Sequence, residues 1–191
     1  MISIQYNSKL AFLASFTFLI ISCNFSNKEK ENTARTTTSS FTFKLPNNES
    51  LTSSSKDTVE KYLVNWLKDK NQVVNKTTWF NFETLLFEPG VATLKTESKN
   101  ELLNIKKIMI AFPSMEIKIG AYTDSLEVST DKKQLLSNER ANAVKTDLIA
   151  LGIAANRLKP EGYSDQYPIG SNKTVSGRTE NRRVAIRITK K

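Results

Sequence analysis

The residues of this chain best equipped for chemistry lie between Asp124 and Arg140: an acid that closes an alternating apolar run, and an arginine set inside an apolar stripe. A guanidinium in such a stripe must reach water or meet an acceptor, because an unpaired buried charge is costly. Two outcomes are open. The acid and the arginine can form an internal salt bridge, or they can hold opposite ends of a zwitterion. In the second case Asp124 accepts from an ammonium and Arg140 grips a carboxylate in a bidentate fork. Catalysis is not expected. The 191 residues include no histidine and one cysteine, which removes the commonest general base and the commonest metal ligand. No Gly-x-Ser-x-Gly elbow, phosphate loop or dinucleotide fingerprint occurs, and no cofactor or metal is expected. Glu83 with Glu88 and Asp124 with Glu127 are the carboxylate pairs available for hydrolysis, but they read as ordinary acids facing water.

Two elements must position the pair. Met115, Ile117, Ile119 and Ala121 alternate with other residues, so 115–123 reads as a half-buried strand with Asp124 at its exit. Leu136, Arg140, Val144, Leu148 and Leu151 recur at steps of four and three, the period of one helix face over 131–151, and Gly152 is placed to cap it. Around these, Phe80–Phe87 reads as a strand. Ser98 with Glu101 has capping-box spacing ahead of a helix that Pro113 stops, and Leu158–Tyr163 and Val184–Ile188 supply further strands. Residues 164–180, rich in Ser, Asn, Gly and Thr, read as a long loop with room for a helical turn. The order β-α-β-α-β-β predicts an α/β, or α+β sandwich, architecture with helices packed on one mixed sheet. Upstream, Asp57 and Glu60 have N-cap and N3 spacing before an amphipathic helix carrying Val59, Tyr62, Leu63, Trp66 and Leu67. Phe41 to Leu51, around Pro46-Asn47-Asn48, suggests a small hairpin.

The segments around the pair resemble, in order, the OmpA-like C-terminal peptidoglycan-binding domain family, which also occurs in peptidoglycan-associated lipoproteins and flagellar stator proteins. The matching residues are Ala121-Tyr122-Thr123-Asp124, then Leu136-Ser137-Asn138-Glu139-Arg140-Ala141-Asn142-Ala143-Val144 against the pattern Leu-Ser-x-x-Arg-Ala-x-x-Val. Leu151-Gly152-Ile153, Arg157, Gly162-Tyr163, Pro168, Asn172, Gly177-Arg178 and Asn181-Arg182-Arg183-Val184 follow, so the resemblance covers about 79–188. It implies that Asp124 and Arg140 hold the diaminopimelate of the peptidoglycan stem peptide, whose second stereocentre presents an ammonium and a carboxylate on one carbon. It also offers Thr123, Lys133, Arg182 and Arg183 as supporting residues. Arg182 and Arg183 can touch the ligand, brace the loops, or be surface arginines at a strand edge. The chain departs from the family in the loop Ser125-Leu126-Glu127-Val128-Ser129-Thr130, one residue longer and without its glycine. It departs again at Lys133, where an asparagine is common, and at Ala121, Tyr122 and Ser164.

Residues 1–22 carry one charge, Lys9, and an apolar stretch from Leu10 to Ile21 that is short for a membrane span and suited to a signal-peptide core. Leu19-Ile20-Ile21-Ser22-Cys23 resembles a bacterial lipoprotein signal, which makes Cys23 the expected acylation site. As the lone cysteine it has no disulfide partner. The expected organisation is a signal peptide at 1–22, an acylated Cys23 with a flexible tether over 23–56, a helical lead-in at 57–77 and the OmpA-like domain at 78–191. Net charge is +9; a leader for export argues against nucleic acid, and the anionic envelope polymers suit a basic partner. Lys190 and Lys191 read as a solvated tail. The expected function is that of an outer-membrane lipoprotein whose periplasmic domain binds peptidoglycan non-covalently and ties membrane to wall. A protein-interaction module for envelope partners on the same fold is the alternative.

Overall fold

A turn-forming run, Pro46-Asn47-Asn48, folds the first described residues of this computed structural model into a hairpin; the structure describes residues 41–53, 58–82 and 84–191. Strand β1 (Phe41–Lys44) pairs antiparallel with β2 (Ser50–Ser53), and Leu45 and Leu51 turn inward to the core. The leader at 1–22, Cys23, the tether apart from this hairpin, the Asp57 cap and Glu83 lie outside the described residues. Helix α1 (Val59–Lys68) buries Leu63, Val64 and Leu67, as its amphipathic spacing requires. Its Glu60 is buried too, accepting from Asn104 Nδ2 at 2.7 Å.

Strand β3 (Phe80–Phe82) is shorter than the alternation over 80–87 predicts. The reason lies in where its continuation finds hydrogen bonds. Leu86 donates its N–H to Ser98 Oγ at 2.8 Å and accepts from the same hydroxyl at 2.9 Å, while the Thr84 hydroxyl bonds the Glu101 carboxylate. The pair expected to cap helix α2 (Ser98–Ala111) therefore ties the helix to the preceding segment, and Glu97 takes the N-cap position. Leu102, Ile105, Ile108 and Met109 fill the core side of α2, which ends just before Pro113.

Strand β4 (Glu116–Ala121) leads through a loop to helix α3 (Thr130–Ala150). Gly152, at φ +98°, closes α3: its N–H donates to Ile149 O at 2.8 Å and that of Ile153 to Leu148 O at 3.0 Å, a Schellman turn that glycine makes without strain. A short 3₁₀ turn at Ala155–Arg157 precedes β5 (Leu158–Gly162). The 164–180 loop contains a seven-residue helix, α4 (Val175–Asn181), begun by Thr174, whose hydroxyl accepts from Gly177 N at 3.0 Å. Strand β6 (Val184–Lys190) ends the fold.

The main sheet runs β3-β6-β4-β5, with β4 and β5 parallel and the other neighbours antiparallel, so it is mixed. Ile117, Ile119 and Ala121 of β4, with Val184, Ile186 and Ile188 of β6, present one face to the helices in a single apolar core. This is the α+β architecture expected from the alternation of strands and helices. The other face carries Tyr122 stacked on Tyr163, with Trp79 set edge-on to both. The end of the chain is not a free tail: the Lys191 ammonium bonds the backbone carbonyls of Trp66 and Asp69 and lies over the Trp66 ring. Among the described residues no helix is long and apolar enough to cross a membrane.

Candidate functional site

Beyond the last residue of β4, two backbone bonds carry the strand direction forward: Tyr122 N–H donates to Arg183 O at 3.0 Å and Thr123 N–H to Ser164 O at 2.8 Å. They fix Asp124 at the mouth of the sheet, only 2% exposed. Its Oδ1 accepts from Leu126 N at 2.6 Å, turning the chain into the loop, and its Oδ2 takes a charge-assisted bond from Arg182 Nη1. The buried Thr123 hydroxyl beside it has no hydrogen-bond partner.

Arg140 enters from α3 and is also 2% exposed. Each of its three guanidinium nitrogens donates. Nη1 and Nη2 donate to the two carboxylate oxygens of Glu127 at 2.9 and 2.5 Å, Nε donates to Val91 O at 3.0 Å, and Nη2 also reaches Glu88 O at 3.3 Å. The Phe87 ring lies against the plane, 4.9 Å from its centre. This is the bidentate geometry in which arginine recognises a carboxylate.

Asp124 and Arg140 therefore form two ion pairs with other partners, Asp124 with Arg182 and Glu127 with Arg140. The internal bridge between them, one of the two outcomes left open by the sequence, is not formed. Nor do Asp124 and Glu127 face water as surface acids. The Glu127 side chain is 6% exposed, because the loop after β4 folds back over the first turns of α3. Glu88 is exposed, as expected of it.

The supporting residues separate. Arg182 contributes to the site and braces it by donating to Thr179 Oγ1 at 2.9 Å. Arg183, one residue later and past the bend that ends α4, points to the opposite face. There it lies 3.8 Å over the Tyr122 ring and bonds Asn81 and the Tyr167 carbonyl, and burial holds its pKa down. Lys133 is buried and paired with Asp165 at 2.7 Å; that bond from Lys133 holds the Asp165 carboxyl below its ordinary range.

The loops of the site are stitched to each other. Asn181 Oδ1 accepts from the N–H groups of Ile169 and Gly170, and its amide donates to Asn172 Oδ1 at 2.9 Å. Asn172 Oδ1 accepts in turn from Ser125 N at 3.3 Å, linking the loop after Asp124 to the segment that presents Arg182. Gly162 lets β5 press on α3: a Cβ there would lie 2.3 Å from Asn138 N. Asn138 and Gln134 bond the backbone of Gly162, and Ser137 accepts from Ser164 N.

A cleft of about 370 Å³ opens on this arrangement, with Phe87, Gly90, Lys95, Glu127, Arg140 and Arg182 in its wall. The sequence had marked Asp124, Arg140 and Arg182. It had not marked Glu127 as a partner or the carbonyls of Glu88 and Val91 as acceptors. The position of Glu127 in a loop of altered length was the one available signal, and spacing alone does not say where such a loop folds.

Residues 86–182 match the OmpA family. The chain is 34% identical to the probable lipoprotein YiaD of Escherichia coli over 54% of its own length and 47% of that protein's. It is 31% identical to the outer-membrane lipoprotein YfiB of Pseudomonas aeruginosa over 53% and 60%. It spans 47%, 31% and 56% of YiaD, a Pseudomonas fluorescens porin F and a Bordetella avium outer membrane protein A. Among solved structures, a MotB-like protein from Desulfovibrio vulgaris aligns with TM-score 0.55 at 20% identity, over 70% of this chain and 90% of that one. A cell wall anchor of the T6SS from Pseudomonas aeruginosa aligns with TM-score 0.52 at 23% identity, over 72% and 100%. These two likenesses support the fold.

Proposed function

The chain belongs to the OmpA family, and from that premise we propose that it is an outer-membrane lipoprotein that binds peptidoglycan non-covalently through the diaminopimelate of the stem peptide. The domain sits in the periplasm, held to the membrane by acyl chains on Cys23 and to the wall by Asp124 and Arg140. One observation carries the reading. Asp124 already engages a cation, Arg182, and Arg140 already engages a carboxylate, Glu127, and Arg182, Arg140 and Glu127 line one cleft with Asp124 buried behind Arg182. A zwitterionic carbon presents those two groups, an ammonium for Asp124 and a carboxylate for Arg140. The names of YiaD and YfiB as lipoproteins support the anchor. The domain acts by holding, with no bond made or broken.

Sedimentation of the detergent-solubilised full chain with purified diaminopimelate-type sacculi tests this. Wild type is expected in the pellet, and Asp124→Ala and Arg140→Ala in the supernatant. Retention of wild type in the supernatant, or equal pelleting of all three, would remove the reading. Fatty-acid labelling that survives Cys23→Ser would remove the anchor, and release of soluble muropeptides during incubation would reopen catalysis.

A second reading keeps the fold and makes the domain a module for envelope protein partners. It is favoured by the same internal filling: Glu127 occupies the Arg140 fork and Asp165 occupies Lys133. Wild type that fails to pellet with sacculi is its expected outcome.

A further inference from the structure

Arg140 has more partners than it needs to stay in place. Val91 O on Nε, Glu88 O on Nη2 and the Phe87 ring against its plane all come from the segment before α2, on a different part of the chain from Glu127. They would keep the guanidinium oriented if Glu127 withdrew. Glu127, in contrast, fills only the outward fork, where a bidentate carboxylate belongs. It arrives on a loop pinned at its start by the Asp124 and Asn172 bonds and ending where Ser129 O accepts from Lys132 N as α3 begins. Leu126 beside it is 70% exposed, so swinging the loop outward strips no buried apolar contact from that side chain. Once the Glu127 carboxylate leaves, the cleft wall keeps three cations, Lys95, Arg140 and Arg182.

We infer that Glu127 is a built-in competitor for the ligand carboxylate: it occupies the Arg140 fork in the free protein and must leave before a ligand carboxylate can enter. This deepens the proposed function, whose ligand it assumes. A protein whose binding-competent state is only partly populated has its affinity reduced by that fraction, so a latch closed nine-tenths of the time weakens binding about tenfold. The loop between Asp124 and α3 then sets affinity through an internal mimic of the ligand, while Asp124 and Arg140 set which ligand is recognised.

The test is calorimetric titration of the detergent-solubilised full chain with meso-diaminopimelate, and with cadaverine, which keeps two ammonium groups and lacks both carboxylates. Glu127→Ala is expected to bind diaminopimelate about tenfold more tightly than wild type, with a smaller gain for Glu127→Gln. Neither should gain for cadaverine, and the Glu127→Ala, Arg140→Ala double variant should lose the gain. Equal or weaker diaminopimelate binding by the Glu127 variants overturns the inference, as does a gain that survives loss of Arg140. If Glu127→Ala does not fold, Glu127→Gln, which keeps the volume and one acceptor, decides alone. Failure here is separable from failure of the proposed function. Sacculus pelleting through Asp124 and Arg140 without any gain from Glu127 variants leaves that function standing and removes the latch. A gain for diaminopimelate without pelleting does the reverse.

Discussion

The two halves of α3 are built on opposite principles. Toward its C-terminus, Val144 and Leu148 are fully buried against the sheet and a glycine turn closes the helix. Toward its N-terminus, Leu136 is joined by the buried polar positions Lys133, Ser137 and Arg140, each answered by a polar group from another segment: Asp165, the Ser164 amide and Glu127. An apolar side chain is content with any close-packed apolar neighbour, whereas a buried charge needs one partner in one place. The apolar half therefore fastens the helix, and the charged half gathers the loops after β4 and β5 into a site. Buried ion pairs contribute little net stability against apolar replacements, so the charged half is expected to serve recognition more than folding.

Emptying the apolar half should have the largest effect. Leu148→Ala leaves a cavity under the helix and is expected to cost about 2–5 kcal/mol in urea unfolding. A smaller loss would mean that the apolar half is not the fastening. At the border between the halves, Gly162→Ala forces a methyl against the Asn138 amide, 2.3 Å away. Its expected cost is about 1–3 kcal/mol, together with weaker sacculus binding, since the displaced turn carries Ser137 and Arg140 with it. The sharpest test of the contrast replaces the pair itself. Glu127→Leu with Arg140→Met should leave stability within about 1 kcal/mol of wild type or raise it, while abolishing binding to sacculi. A large loss of stability would place the charged half among the fastenings.

The smallest effect is expected at Lys133 and Asp165. Asp165 has its pKa lowered by folding, so its contribution is fully present above the unfolded carboxylate value, about 3.9, and disappears as pH falls through the lower folded value. Wild type should exceed Asp165→Asn by at most about 1 kcal/mol at pH 7, and the difference should vanish in acid below that range. A difference that persists there would assign the stabilisation to shape and not to charge.

Local periodicity made much of this legible. The β4 alternation, the α3 stripe and the Gly152 stop depend on neighbours within a turn or a strand, and they placed Asp124 at a strand exit and Arg140 on a buried face. Ser98 and Glu101 show where such reasoning fails. Their spacing fits a cap, but the Leu86 backbone and the Thr84 hydroxyl, brought close by folding, take those side chains instead. The same capture ends β3 at Phe82. Helix α4 was legible only as a turn within a loop, since Val-Ser-Gly-Arg-Thr-Glu-Asn is a poor helix former. It stands because Thr174 caps it and Asn181 ties its end to Ile169 and Gly170. Arg182 and Arg183 are adjacent in sequence, yet one serves the cleft and the other the aromatic face, because the chain bends at Arg182, where α4 ends, before β6 begins.

Hydrophobic period alone was enough to carry a carboxylate to the exit of a strand and a guanidinium onto the buried face midway along a helix. Hydrophobic period fixes which face of an element is buried, whatever sits on that face. Which opposite charges meet them was settled by contacts between distant segments. The partners, Glu127 and Arg182, lie on loops whose paths are set by distant bonds through Asn172, Asn181 and the Val91 segment, and no period along the chain records where such loops come to rest.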